Sequence, residues 1–130
     1  MKAILLVEDS KFLRLANERS LSKAGYKVVS AGDGDEALRI AREMKPDLIL
    51  LDMMLPKMSG PDVLKALKKD PLTSSVPVVV LSSLPQCNEL TLKGAGAAAY
   101  FQKSRLDLDH GSEALLNMVE KMFTAEPVGR

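Results

Sequence analysis

Acidic residues directly follow two short apolar runs, and such positions can carry metal or phosphate chemistry. Glu8 and Asp9 follow Ala3–Val7, and Asp52 follows Leu48–Leu51. A carboxylate at the end of an apolar segment costs free energy unless a partner offsets its charge. Three such groups close together repel one another, and a hard cation relieves that repulsion. Mg²⁺ fits best, because it takes few carboxylates and keeps water and phosphate oxygens as further ligands.

A hydroxyl and an amine occupy equivalent positions after two later apolar runs. Ser82 follows Val76–Leu81, and Lys103 lies just beyond Ala97–Phe101. Taken singly, each residue has an ordinary interpretation as a turn, cap or surface residue. Taken together at successive run ends, they predict phosphoryl transfer, with Asp52 as the nucleophile. The metal and the lysine would offset charge on the phosphoryl oxygens, while the serine donates a hydrogen bond.

Short apolar runs alternate with longer amphipathic segments, and this alternation indicates which elements position those residues. The predicted strands are Ala3–Val7, Lys27–Ala31, Leu48–Leu51, Val76–Leu81 and Ala97–Phe101. The predicted helices are Ser10–Ala24, a segment from an Asp33 cap to Pro46, a segment after Ser59, a weak stretch from Gln86 to Lys93, and Glu113–Phe123. In the first helix, residues expected to face inward are Leu13, Ala16, Leu21 and Ala24. Gly25 is expected to end it.

The continuous rather than alternating apolar character of the runs predicts strands buried on both faces. Five strand–helix cycles predict right-handed crossovers and a parallel sheet, and therefore a three-layer α/β domain. In such sheets the ligand site lies beyond the carboxyl ends of the strands. All the candidate residues are expected at that edge.

Composition excludes several other classes of protein. The chain has 130 residues and a net charge of +1, so it fits one domain without the basic excess typical of nucleic-acid or membrane-surface binding. A single cysteine favours a cytoplasmic setting. The first apolar run is too short for a signal peptide, and none approaches the roughly 20 residues of a membrane helix.

Four segments together resemble the response-regulator receiver domain, the CheY-like phospho-accepting half of two-component signalling. They are ILLVEDS, PDLILLDMMLPKMSG, PVVVLSS and GAGAAAYFQKS. The resemblance implies a flavodoxin-like (βα)5 fold with strand order 2-1-3-4-5. It assigns residues 1–123 to the receiver domain and 124–130 to a polar tail.

The resemblance also implies a role for each acidic residue. Asp52 would accept a phosphoryl group from a histidine kinase or phosphotransfer protein and form an acyl phosphate. Glu8, Asp9 and Asp52 would hold Mg²⁺ together with the backbone carbonyl of Met54.

Three further positions match the family's switch and phosphoryl-binding residues. Ser82 would bind the phosphoryl group on activation, and Lys103 would contact it. Tyr100 matches the aromatic position whose ring turns inward when the serine moves. The sequence departs from the family at Ser104, where a proline after a cis peptide is usual, so the Lys103–Ser104 peptide is either cis or displaced.

Two apolar side chains lie where the family tunes hydrolysis of the acyl phosphate. Met54 and Leu84 each lie two residues after a site residue and flank the path of the attacking water. A thioether accepts hydrogen bonds weakly and leucine has no polar atom, so neither can orient that water. This predicts slow self-dephosphorylation.

Three functional hypotheses remain open from the sequence. The first is a switch that phosphorylation turns on and that controls a partner or an output. It would catalyse only its own phosphorylation and dephosphorylation. It would contact neither nucleic acid nor membrane. It would be a monomer, or a weak dimer through its fourth helix, fifth strand and fifth helix. The second is a receiver-like interaction module that is never phosphorylated. The third is a haloacid-dehalogenase-type phosphatase. That family has a second aspartate two residues after the nucleophile. This sequence has Met54 at that position, which argues against the third hypothesis.

Overall fold

The computed structural model describes residues 2–53, 55, 57–82, 96–102 and 111–124. Within them lie five strands, β1 Ala3–Val7, β2 Lys27–Ala31, β3 Leu48–Asp52, β4 Val78–Ser82 and β5 Ala99–Gln102. Four helices are described, α1 Lys11–Lys23, α2 Gly34–Met44, α3 Gly60–Lys69 and α4 Gly111–Thr124. The helix predicted between Gln86 and Lys93 falls outside the described residues.

The strands form one parallel sheet, as the apolar runs predict, and their order β2-β1-β3-β4-β5 is the one that the resemblance to receiver domains implies. β3 is central and buried at all five positions. Because its neighbours β1 and β4 run in the same direction, the carboxyl ends of all three strands lie at one edge of the sheet. That edge carries the described candidates Glu8, Asp9, Asp52 and Ser82.

Successive residues of each central strand pack against opposite faces of the sheet. One core cluster joins Leu51 of β3 to α2 and α3, and the other joins Leu50 to α1 and α4. The three-layer prediction is therefore confirmed. Burial on both faces explains why the strands are continuous apolar runs.

Local signals place the helix ends close to their predicted positions. Ser10, Asp33 and Ser59 cap α1, α2 and α3, and each side chain accepts a hydrogen bond from the backbone N–H three residues later. Gly25 adopts a left-handed φ of 101° after α1. Pro77 lies just before β4, where its carbonyl accepts a hydrogen bond from the N–H of Ile49.

Fewer residues of α1 face the core than the sequence predicts. Leu21 is fully buried, whereas Ala16 and Ala24 are exposed. Phe12 and Leu15 are exposed as well. Alanine is compatible with either face of a helix, so its position in a periodic pattern does not decide which way it faces.

Candidate functional site

The three predicted acidic residues meet at the carboxyl edge of the sheet. Val7 pairs with Leu51, so the residue after β1 and the last residue of β3 lie at the same level. Glu8 and Asp52 are buried, at 1% and 3% exposure, while Asp9 is exposed. Each offers a carboxylate oxygen, and these three atoms lie within 4.8 Å of one another.

This donor set fits a hard divalent cation. All three side chains present oxygen, which Mg²⁺ and Ca²⁺ prefer and which softer metals do not select. The exposure of Asp9 leaves the cluster open to solvent on one side. A cation held here would keep ligand positions for water or phosphate oxygens, and that arrangement suits Mg²⁺.

Glu8 is held in place through both its backbone and its side chain. Its N–H donates to the carbonyl of Ala31 at 3.0 Å, extending the pairing of β1 with β2. Its carbonyl accepts from Nη1 of Arg14 at 2.9 Å, and its Oε2 accepts from the N–H of Ser10 at 3.2 Å. The orientation of this buried carboxylate is thus fixed by the turn into α1.

Asp52 is positioned by close packing between β3 and the start of α3. A Cβ at Gly60 would lie 2.7 Å from the carbonyl oxygen of Asp52 and 2.7 Å from Cα of Met53. The N–H of Gly60 donates to the Met53 carbonyl at 3.1 Å, and the N–H of Met53 donates to Leu81 at 3.0 Å. Only a residue without a side chain fits at position 60 unless the backbone moves.

Lys57, which lies in the segment between Asp52 and α3, makes an ion pair with the N-cap residue of α2. Lys57 adopts a left-handed φ of 68°, and its ammonium lies 3.7 Å from Oδ2 of Asp33. The pKa of Asp33 is lowered, first by the hydrogen bond from the N–H of Glu36 and then by the charge of Lys57. A Cβ at Gly34 would lie 2.7 Å from Val63, so α2 and α3 approach closely beside this segment.

The backbone places two further predicted residues on strands near this edge. Ser82 is the last residue of β4, one position beyond the residue that pairs with Asp52. Tyr100 lies in β5 and pairs with Val80. Lys103, Met54 and Leu84 lie outside the described residues, as does the Lys103–Ser104 peptide, so their predicted roles stay predictions.

Two residues beside the site, Arg14 and Gly32, are not predicted from the sequence. Arg14 contacts the Glu8 carbonyl, and a Cβ at Gly32 would lie 2.9 Å from the same Nη1 atom. One signal was available: an arginine five residues after Asp9 lies on the first turns of a helix whose start is at the site. An isolated arginine on an amphipathic helix is usually a solvated residue, so this signal is weak.

Comparison with known proteins agrees with this geometry. The sequence model described as response regulator receiver domain matches residues 4–115, and the chain belongs to that family. It is therefore a receiver domain of the two-component response-regulator class. Membership of this family favours the receiver hypothesis over the dehalogenase-type phosphatase.

Individual relatives cover most of the chain. The probable transcriptional regulator ycf27 of Pyropia yezoensis is 34% identical over 125 residues, which are 94% of this chain and 50% of that protein. The crystal structure of a phosphorylated cyanobacterial phytochrome response regulator, RcpA, has a TM-score of 0.86 at 30% identity and covers 99% of both chains. The Mn²⁺-bound form of response regulator Rcp1 has a TM-score of 0.81 at 30% identity, covering 98% of this chain and 97% of that one.

The chain spans about half the length of these curated relatives. Those relatives are named as probable transcriptional regulators. Among the helices that the structure describes, none has both the length and the apolar character needed to cross a membrane.

Proposed function

We propose that this domain is a phosphorylation switch in which Asp52 accepts a phosphoryl group from a phosphohistidine of a kinase or phosphotransfer protein. A carboxylate oxygen of Asp52 forms the new bond to phosphorus while the phosphorus–nitrogen bond to the donor histidine breaks. The observation that carries the proposal is the convergence of Glu8, Asp9 and Asp52 within 4.8 Å at the carboxyl edge of the sheet.

The same convergence supports a metal requirement. Glu8, Asp9 and Asp52 would hold Mg²⁺, with the backbone carbonyl of Met54 as a further ligand. The cation, when bound, offsets negative charge on the transferring phosphoryl group. The resemblance to a manganese-bound response regulator and to a phosphorylated one supports this assignment.

The remaining site residues would respond to the phosphorylation of Asp52. Lys103 contacts the phosphoryl oxygens, Ser82 donates a hydrogen bond to one of them, and Tyr100 changes position with the serine. Phosphorylation would thereby shift the population between two conformations of the domain. The apolar Met54 and Leu84 are expected to keep its hydrolysis slow.

In this proposal the domain modifies only itself and acts through a partner or an output region. The relatives named as transcriptional regulators suggest an output at DNA, although this domain, with a net charge of +1, would not itself contact it. Any dimer would form through the surface made by β5, by α4 and by the helix predicted between Gln86 and Lys93.

The phosphorylation of Asp52 can be tested by intact-protein mass spectrometry. The chain is incubated with Mg²⁺ and a small-molecule phosphodonor such as acetyl phosphate. We expect one added phosphoryl group on the wild type, and none on Asp52→Asn or after chelation of the metal. Asp62→Asn is the matched control, because it removes an exposed carboxylate on α3 without touching the acidic cluster.

Failure of this experiment would favour the other hypothesis. A wild-type chain that gains no phosphoryl group from acetyl phosphate or from a phosphorylated kinase would be a receiver-like interaction module. A phosphoryl group retained by Asp52→Asn would move the acceptor to another residue.

A further inference from the structure

Arg14 connects α1 to the backbone of the acidic site. It is the fourth residue of α1, at the end of the first turn, and its Nη1 donates to the carbonyl of Glu8 at 2.9 Å. That carbonyl belongs to the peptide unit between Glu8 and Asp9. Because a peptide unit is planar, a bond that holds its oxygen also fixes the direction in which the next Cα lies. The Arg14 contact therefore bears on where the exposed Asp9 carboxylate projects.

Gly32 leaves the space that the guanidinium occupies. A Cβ at this position would lie 2.9 Å from Nη1 of Arg14, closer than side-chain atoms normally approach. The φ of Gly32 lies outside the left-handed region, so its backbone conformation does not require glycine. Its N–H donates to Oε1 of Glu36 at 2.9 Å, which fixes the turn between β2 and α2 beside the arginine.

We propose that Arg14 is a positioning residue for the metal site, and that Gly32 allows it to reach that position. The inference rests on the proposed function, because it concerns the Mg²⁺ that Glu8, Asp9 and Asp52 would hold. Arg14 itself binds neither metal nor phosphate in this proposal. It holds the Glu8–Asp9 peptide so that two consecutive carboxylates face the same point.

The charge of Arg14 has the opposite effect from its hydrogen bond. A guanidinium bound to the backbone beside the acidic cluster disfavours a further cation there, so loss of the charge alone would tighten Mg²⁺ binding. Loss of the positioning bond would weaken it, as removal of outer-shell partners of metal ligands usually does. The sign of the change in affinity therefore separates the two effects.

Isothermal titration of Mg²⁺ into the unphosphorylated protein measures that sign directly. We expect Arg14→Ala to bind Mg²⁺ about tenfold more weakly, at the lower end of the range for outer-shell partners. Arg14→Lys keeps a charged donor and should recover part of the affinity. Arg19→Ala is the matched control, since Arg19 is exposed on the same helix, and it should leave the affinity unchanged.

Gly32→Ala tests the same contact while keeping the arginine. The clashing atom is the end of a flexible side chain, so the fold should tolerate the methyl group and the guanidinium should move away. We expect a loss of affinity in the same direction as for Arg14→Ala. In the double variant Arg14→Ala/Gly32→Ala, the second substitution should add no further loss, because the contact it disrupts is already absent.

Several outcomes would overturn the inference. They are unchanged or tighter Mg²⁺ binding by Arg14→Ala, an Arg14→Lys variant as weak as the alanine variant, or additive losses in the double variant. Thermal unfolding of each variant shows whether a loss of affinity reflects a loss of fold. A wild-type protein that binds no Mg²⁺ would instead contradict the metal site itself, and the inference with it.

Discussion

At the scale of single residues, two positions that require a particular backbone shape carry lysine. Lys45 ends α2 with a left-handed φ of 48°, and Lys57 lies before α3 with a φ of 68°. Residues with a Cβ adopt this region at a cost of about 1 kcal/mol, whereas glycine adopts it freely. Lys57 also makes the ion pair with Asp33, so at that position the charge offers a reason to retain lysine.

Lys45→Gly should stabilise the domain by about 1 kcal/mol, because glycine is the preferred residue at a left-handed helix end. The free energy of unfolding in urea measures the effect. Lys65→Gly is the matched control, since Lys65 is exposed in the interior of α3, where glycine should destabilise by a similar amount. Destabilisation by both variants would contradict the strain argument at Lys45.

At the scale of elements, side-chain hydrogen bonds join the end of α3 to the turn that follows it. The Lys68 ammonium donates to the carbonyls of Ser74 and Val76, and burial lowers its pKa. The Thr73 hydroxyl donates to the Leu67 carbonyl at 2.6 Å. These contacts close the turn that leads into β4. Because β4 pairs with β3, they help to hold the strand that carries Asp52.

Asp70 joins this turn to α2 and makes it sensitive to acid. Its carboxylate accepts from the N–H of Leu72 and from Arg42, and these two hydrogen bonds, in that order, lower its pKa. A carboxylate whose pKa is lowered by folding contributes stability above its unfolded value of about 3.9. That contribution is lost as pH falls through the lower folded value.

Asp70→Asn should therefore lower the Tm at pH 7, and the difference from the wild type should shrink as the pH falls below about 4. Thermal unfolding across that range, followed by circular dichroism, measures the difference. Asp62→Asn provides the comparison, because Asp62 is an exposed carboxylate in the first turn of α3. A Tm difference for Asp70→Asn that does not change with pH would contradict this assignment.

At the scale of the whole molecule, β3 links the two halves of the core. Leu50 packs toward α1 and α4, and Leu51 packs toward α2 and α3, both fully buried. The strand that ends in Asp52 is therefore held from both sides. Packing on both faces of this central strand restrains the backbone that positions the Asp52 carboxylate.

Leu50→Ala and Leu51→Ala should each destabilise the domain by about 2–5 kcal/mol, because each leaves a cavity in a closed core. Urea unfolding measures both. Leu15→Ala, on the outer face of α1 at 48% exposure, should cost much less. A small effect at either core position would mean that the corresponding face of the sheet is less tightly covered than the structure indicates.

Much of this molecule follows from its sequence alone. Five apolar runs, the caps Asp33 and Ser59, and the Gly25 helix end predict the described strands and helices, and the family resemblance of the four motifs implies the order of the strands in the sheet. The convergence of Glu8, Asp9 and Asp52 follows as well, because parallel strands bring their carboxyl ends to one edge. These features depend on the propensity of residues for helices and turns and on the spacing of apolar residues, and both can be obtained from the order of residues in the chain.

Contacts between segments distant in the chain were decided only by the tertiary structure. The sequence does not show that Gly60 must pass within van der Waals contact of Asp52 and Met53, or that Gly32 makes room for Arg14. It also does not show that Ala16 and Phe12 face solvent. Each depends on the separation and angle of packed elements, which are set by the volume of many side chains together.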